Sequence, residues 1–412
     1  MRFRILNFAW VVLFFSPSGV CADDVAVAQE PVVILLSLDG FRHDYSALAS
    51  APNLEQMAAE GLKAQGLMPV FPSSTFSNHY SIATGLYPGH HGIIGNAFYD
   101  RQRGQTYRLG DSEKITDGTW YGGEPLWVAV ERAGKRAASY FWVGSEAAIQ
   151  NIRPSRYRRY NGGIPNAVRV DTVLEWLALP ADERPSFVTL YFSSVDSVGH
   201  RHGPESRQVR DAVASADADL GKLRQGLAEL PFETHLIVVS DHGMQQITDE
   251  AIVYLSDHLN LSAWRGENRI LPGGPVTYFY SDDQALIRQT ADRLGKIDGL
   301  KLFSGSRPPA FSMLRAGGPR TPDLIAVIDA PGYISISRKG RKPPPGVHGY
   351  LPAETPTMNG ILYAVGPRIK AGSRLPVIEN VHVYPLVMAL LGLEIKTPID
   401  GRLAAFSSAL ED

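Results

Sequence analysis

Apolar residues along this chain fall into runs of two kinds. VVILLSLDG (32–40) is continuous and apolar, the pattern of a parallel strand covered on both faces. SFVTLYFSSVD (186–196) and HLIVVSDHG (235–243) follow the same scheme, and MNGILYAVGP (358–367) predicts a further strand. Between and beyond them, apolar positions recur at helical spacing in SAPNLEQMAAEG (50–61), GEPLWVAVERAG (123–134), VDTVLEWLALP (170–180), SRQVRDAVASADADLGKLRQGLAEL (206–230) and VHVYPLVMALLGL (381–393). Strands alternating with helices predict an α/β fold, an open and mostly parallel sheet flanked by helices. Residues 255–347 break the rhythm. They hold GGPVTYFYSDD, a helix-like DDQALIRQTADRLGKI and the loop-rich SRKGRKPPPGVHGY, which predict an inserted subdomain on a single domain spanning 23–412.

The polar residues that end these strands carry the chemistry. Open parallel sheets bind ligands beyond the carboxyl ends of their strands, so the pattern sends Asp39, Asp196 and Asp241-His242 toward one rim. Three of the eleven histidines stand out by their company. His200 lies four residues after Asp196, His242 adjoins Asp241, and His348 sits in the glycine-flanked turn GVHGY. Together these carboxylates and imidazoles make a candidate nitrogen and oxygen donor set for zinc. His202 competes with His200, but the four-residue spacing from Asp196 favours His200. His90 and His91 read as a structural loop, and His43, His79, His235, His258 and His382 as structural residues.

FPSSTFSNHY (71–80) places Ser73, Ser74, Thr75 and Ser77 at the start of a helix-like run, with no general base at an obvious spacing. Hydroxyls are favoured at helix starts without any chemistry, and the three serines are read as turn and cap residues. A hydroxyl held on a metal has its pKa lowered by many units and needs no histidine base. Two ions about 4 Å apart stabilise both the attacking and the leaving oxygen of an in-line displacement at phosphorus. A helix start also offers free N–H groups to a phosphate.

Composition narrows the setting. MRFR, the apolar run ILNFAWVVLFF (5–15) and small residues at Val20-Cys21-Ala22 have the layout of a secretory signal, with cleavage expected after Ala22. The run is too short to span a bilayer, no other segment looks transmembrane, and the expected location is periplasmic or secreted. Val20 fits a lipid-attachment site at Cys21 poorly. Cys21 is the only cysteine, so the mature chain has neither a disulfide nor a thiolate site. Loss of Arg2 and Arg4 takes the formal charge from −2 to about −4, which gives no electrostatic case for nucleic-acid binding. Oligomeric state leaves no trace in these patterns.

LSLDGFRHDY, PVFPSSTFSNHYSIATGLYPGHHGIIGNAFYD, FSSVDSVGHRHGP, VVSDHGM and GVHGY occur in this order. In combination they resemble the nucleotide pyrophosphatase/phosphodiesterase (type I phosphodiesterase) family of the alkaline phosphatase superfamily, over residues 30–405. The resemblance implies an alkaline-phosphatase-like fold and two Zn2+ ions. It makes Thr75 the nucleophile, with one zinc on Asp196, His200 and His348 and the other on Asp39, Asp241, His242 and the Thr75 hydroxyl. Asn96 would hold a phosphoryl oxygen with the backbone N–H of Phe76. Phe76, Tyr160 and Tyr191 would line a nucleoside pocket, although Tyr157 competes with Tyr160.

The implied activity is hydrolysis of phosphodiester and pyrophosphate bonds in small-molecule nucleotides, releasing nucleoside 5'-monophosphates through a phosphothreonine. An apolar ring at Phe76 favours diesters, because a monoesterase wants cationic donors for the extra phosphate charge. Relatives sharing these motifs differ in substrate, so a choline- or glycerol-bearing lipid head group is the alternative. A non-catalytic nucleotide-binding protein is the remote one. The basic runs RYRRY and RKGRK read as solvated surface, with contact to distal phosphates as a second option.

Overall fold

The expected strands form the middle of one large sheet in a computed structural model that describes residues 30–340 and 342–411. The signal-like segment lies outside the described residues. In chain order the strands are β1 (Val32–Leu38), β2 (Leu62–Met68), β3 (Ala137–Tyr140), β4 (Arg156–Arg158), β5 (Phe187–Phe192), β6 (Thr234–Val239), β7 (Leu362–Val365) and β8 (Ser373–Glu379). Their spatial order is β8-β2-β7-β6-β1-β5-β3-β4. β1 pairs in parallel with both β5 and β6, whereas β7 runs antiparallel to β6 and β2.

The continuous apolar character of β1 has a direct cause. Val33 and Leu35 enter one core layer with Tyr80 and Trp127, while Ile34, Leu36 and Leu38 enter the opposite layer with Trp176 and Leu220. Both faces are covered, so the strand is apolar throughout except Ser37, whose buried hydroxyl is paired with His79 Nε2 at 2.8 Å. Register then aligns the ends. Ser37 is level with Tyr191 of β5 and with Val239 of β6, which brings Asp39 and Asp241 to the same height. The backbone N–H of Asp196 donates to the Asp39 carbonyl at 3.0 Å, so the third carboxylate is tied to the first.

Four strands were not legible as such. β2 (LKAQGLM) interleaves Lys63, Gln65 and Gly66 with its apolar residues, and the edge strand β8 (SRLPVIE) is largely exposed. β3 and β4 are only four and three residues long. The irregular 255–347 stretch contains an antiparallel sheet, in the order Arg269–Gly273, Val276–Tyr280, Leu324–Ile328, Leu300–Ser304, with the helix Gln284–Leu294 against it. Among the described residues no helix is long and apolar enough to cross a membrane.

One buried carboxylate outside the rim holds two helices together. Asp217 of the helix Arg207–Ala228 accepts the N–H groups of Asn53 and Leu54 at 3.0 and 2.9 Å, and the Asn53 amide at 2.9 Å. It supplies the anionic cap that Ala51 cannot give the helix Pro52–Glu60. Asp217→Ala leaves three donors without this partner, and the expected cost is about 2–4 kcal/mol in urea unfolding at unchanged m. A loss below about 0.5 kcal/mol would contradict that role.

Candidate active site

The hydroxyl-rich turn after β2 sorts its own side chains. Ser73 Oγ donates to the Tyr350 carbonyl at 2.7 Å, and Ser77 Oγ to the Pro72 carbonyl at 3.0 Å. Ser74 stands at the cap position of the helix Thr75–Thr84, but its hydroxyl pairs with Ser77 Oγ at 2.8 Å instead of a helix N–H. Asn78 closes the turn, accepting from Val70 N and donating to the Pro72 and Ser74 carbonyls. Thr75 is the hydroxyl left facing the rim, with Oγ1 3.3 Å from His242 Nε2.

Around Thr75 the three strand-end carboxylates meet the three singled-out histidines. His242 Nε2 is 3.0 Å from Asp241 Oδ2 and 3.6 Å from Asp39 Oδ1. On the other side, Asp196 Oδ1 lies 3.3 Å from His200 Nε2 and 3.8 Å from His348 Nε2. Asp196, His200 and His348 offer ligand atoms within 4.8 Å of one another, as do Asp39, Asp196 and His242. Each histidine is oriented through its other nitrogen. Nδ1 of His200, His348 and His242 donates to the carbonyls of Gly346, Ser73 and Gly243 at 2.7, 2.8 and 2.9 Å. That arrangement turns every Nε2 lone pair inward, as metal-ligating histidines require.

Two glycines make this packing sterically feasible. Gly40, directly after Asp39, has φ +66° and would place a Cβ 2.8 Å from Asp196 Cβ. Gly346, whose carbonyl holds His200, would place one 2.3 Å from the Gly199 carbonyl oxygen.

The electrostatics are those of a site short of positive charge. Burial, reinforced by the Asp241 and Asp196 carboxylates, pushes Asp39 well above the usual carboxylate range. Burial also raises Asp196, against the pull of the His200 and His242 imidazoles. It opposes the Asp241 charge as well, but His242 and His79 overcome it and hold that carboxyl well below its usual range. Burial, with the His242 and His200 imidazoles, pushes His348 well below the ordinary histidine value, which leaves it neutral. Asp39 Oδ1, Asp196 Oδ1 and Asp241 Oδ2 are all buried without a hydrogen-bond partner. Orphaned anionic oxygens beside inward-facing imidazole nitrogens fit divalent cations by donor chemistry and by charge.

A cavity of about 300 Å³ opens beside Thr75. Phe76, Asn96, Tyr160 and Tyr191 all line it, and Tyr157 does not. Asn96 Oδ1 accepts the Phe76 N–H at 2.9 Å, so this N–H already has an acceptor and the Asn96 amide nitrogen is the group free to donate to a ligand oxygen. Tyr191 donates its hydroxyl to Asp39 Oδ2, and so orients a carboxylate as well as contributing a ring. Tyr160 is 52% exposed at the mouth, with its ring 5.2 Å from Phe141.

Side chains outside the cluster have other partners. His90 pairs with Asp400 at 2.7 Å and His91 with Ser81 Oγ at 2.9 Å, in keeping with a structural loop. In the basic runs Arg156 pairs with Glu183, Arg338 with Asp257 and Lys342 with Asp249, whereas Arg341 lies outside the described residues.

The structure adds two details around the site. His79 is wholly buried 3.3 Å from Asp241 Oδ2, bonded to the Thr75 carbonyl and to Ser37 Oγ. Its place one helical turn after Thr75 was the available signal. Phe141, Trp142 and Glu146 also line the cavity, but FWVGSE carries nothing that separates a pocket wall from ordinary core.

Three comparisons with known proteins bear on this arrangement. Residues 33–351 match the family described as type I phosphodiesterase / nucleotide pyrophosphatase. Ectonucleotide pyrophosphatase/phosphodiesterase family member 1 of Mus musculus is 34% identical over 93% of this chain and 43% of its own length. A venom phosphodiesterase of Naja atra is 33% identical over 89% of this chain and 45% of its own length. The chain thus spans less than half of the curated relatives it matches. Murine ectonucleotide pyrophosphatase / phosphodiesterase 5, solved as an inactive threonine-to-alanine variant in complex with AMP, superposes with a TM-score of 0.86. That structure is 26% identical, and the match covers 93% of this chain and all of that one. With residues 33–351 matched by the family model, this chain belongs to the type I phosphodiesterase / nucleotide pyrophosphatase family.

Proposed function

We propose that the protein is an exported, zinc-dependent hydrolase of phosphodiester and pyrophosphate bonds in nucleotides, releasing nucleoside 5'-monophosphates. The observation that carries this reading is the set of three orphaned carboxylate oxygens facing imidazole Nε2 atoms around the Thr75 hydroxyl. Asp196, His200 and His348 would hold one ion, and Asp39, Asp241 and His242, with Thr75, a second. Zinc is the ion that family resemblance implies; when bound, such a pair supplies Lewis acidity to the attacking and leaving oxygens.

The side chains divide the remaining work. Thr75 gives up its proton and attacks phosphorus from the start of its helix, where the helix dipole favours the anion. The Asn96 amide nitrogen donates to a phosphoryl oxygen, and Phe76 and Tyr160 hold the nucleoside. As the Thr75 Oγ–P bond forms, the bond from phosphorus to the leaving oxygen breaks, and that oxygen takes up one proton. Water then attacks the phosphothreonine, its oxygen bonds to phosphorus, and the Thr75 Oγ–P bond breaks. The His79 ring, bonded to the Thr75 carbonyl and packed on Asp241, keeps the nucleophile and that carboxylate in register.

Two measurements test the proposal. Thr75→Ala is expected to lower kcat on a chromogenic nucleoside phosphodiester by at least about 10³-fold with the fold intact. Full activity in that variant would sink the nucleophile assignment. Chelation of the purified protein is expected to abolish turnover and lower Tm, with zinc restoring both. Unchanged activity and Tm after metal analysis finds none bound would sink the metal assignment.

A further inference from the structure

A second cavity, of about 310 Å³, meets the first at Asn96, His200 and His348. Its far wall is the turn between two strands of the antiparallel sheet, Gly273-Gly274-Pro275, with Tyr278, Tyr333 and Pro344 completing it. Tyr278 is fixed by its hydroxyl, which donates to the Ile94 carbonyl at 2.7 Å, and the Tyr333 ring packs against Gly274. Two cavities of this size, joined at the reacting centre, each suit one organic arm of a small ligand.

Their charge is the informative feature. Among the described residues neither cavity is lined by a lysine or an arginine, and the second has no carboxylate either. The loop that brings Pro344 to the wall has basic residues, but Arg338 and Lys342 are engaged by Asp257 and Asp249. A polyphosphate leaving group would enter this cavity with several negative charges and, among the described residues, no lysine or arginine on its wall to meet them. An uncharged ring or polyol would find tyrosine and proline faces and the backbone polar groups of a glycine turn.

We infer that the second cavity receives the leaving-group arm of the substrate and takes an uncharged one, a nucleosyl, glycosyl or glyceryl group. The preferred bond is then a phosphodiester between two organic alcohols, in preference to the anhydride of a nucleoside triphosphate. The in-line geometry agrees. Thr75 stands on the His242 side, so the leaving oxygen of an in-line displacement departs on the side of His200 and His348, where the two cavities meet; with Phe76, Tyr160 and Tyr191 in the first, the second is left for the leaving-group arm. The inference rests on the phosphodiesterase reading above and narrows its substrate class.

The test compares kcat/KM for a dinucleoside monophosphate with that for ATP, using the full chain loaded with zinc. Pyrophosphate is intrinsically the better leaving group, so a preference for the dinucleotide has to come from the site. The wild-type protein is expected to favour the dinucleoside monophosphate by at least about tenfold. Tyr333→Arg and Pro344→Arg, made separately and checked for folding by circular dichroism, are each expected to move the ratio toward ATP by at least about fivefold. Equal or better turnover of ATP by the wild-type protein overturns the inference and leaves the phosphodiesterase reading standing. So does a ratio unmoved in both folded variants. Turnover of neither substrate overturns both.

Discussion

Three carboxylates buried within reach of one another are the constraint on which the rest of the structure depends. Asp39, Asp196 and Asp241 lie at the ends of neighbouring parallel strands, each almost entirely out of water except for part of Asp196. Burying one unpaired carboxylate costs several kcal/mol, and burying three together adds their mutual repulsion. The protein's own side chains relieve this only at Asp241, which His242 and His79 hold low, while Asp39 and Asp196 stay raised. Among the described residues no lysine or arginine forms an ion pair with the three, and His348 is held neutral. A site of this kind persists when something else brings positive charge, and the sheet is organised to keep it. The register of β1 with β5 and β6 sets the height of the carboxylates, and backbone carbonyls fix the rotation of each imidazole.

The proposed nucleophile, Thr75, is set by the same arrangement. A threonine hydroxyl is a poor nucleophile near neutral pH, and the imidazole beside Thr75, that of His242, turns the same Nε2 toward the Asp39 and Asp241 carboxylates. The turn around it absorbs every neighbouring hydroxyl in structural hydrogen bonds and leaves Thr75 against His242. In the proposed reading, activation would come from the charge that the carboxylates collect. The two cavities extend this logic outward. One is rich in aromatic rings and the other has no lysine, arginine or carboxylate among its described lining residues, so in the proposed reading the organic parts of a ligand would be recognised there and the phosphate held at the junction.

Much of this was legible in the sequence, for physical reasons that differ by element. A central parallel strand must be apolar on both faces, so β1, β5 and β6 announced themselves, and the polar residues ending them marked the rim. β7 was legible as a strand but not as the antiparallel member, since direction leaves no trace in an apolar run. β2 escaped because Lys63 and Gln65 interrupt its pattern, and β8 because an edge strand has little need of apolar residues. At the site, the ligand-type residues were found because carboxylate and imidazole next to a strand end are unusual company. Groups that act through backbone were invisible: the carbonyls of Ser73, Gly243 and Gly346 orient three histidines without any side-chain signature. His79, read as structural, is buried and bonded to the Thr75 carbonyl and Ser37 Oγ, and its closeness to Asp241, 162 residues away in the chain, comes only from the fold.

The central claim is that the carboxylate cluster exists to hold two metal ions beside Thr75. Diffraction from crystals of the zinc-loaded protein, recorded on both sides of the zinc absorption edge, tests it most directly. The account predicts two anomalous peaks, one among Asp196, His200 and His348 and the other among Asp39, Asp241 and His242 within reach of the Thr75 hydroxyl. The absence of a peak in the cluster, or a single ion lying away from Thr75, would contradict it.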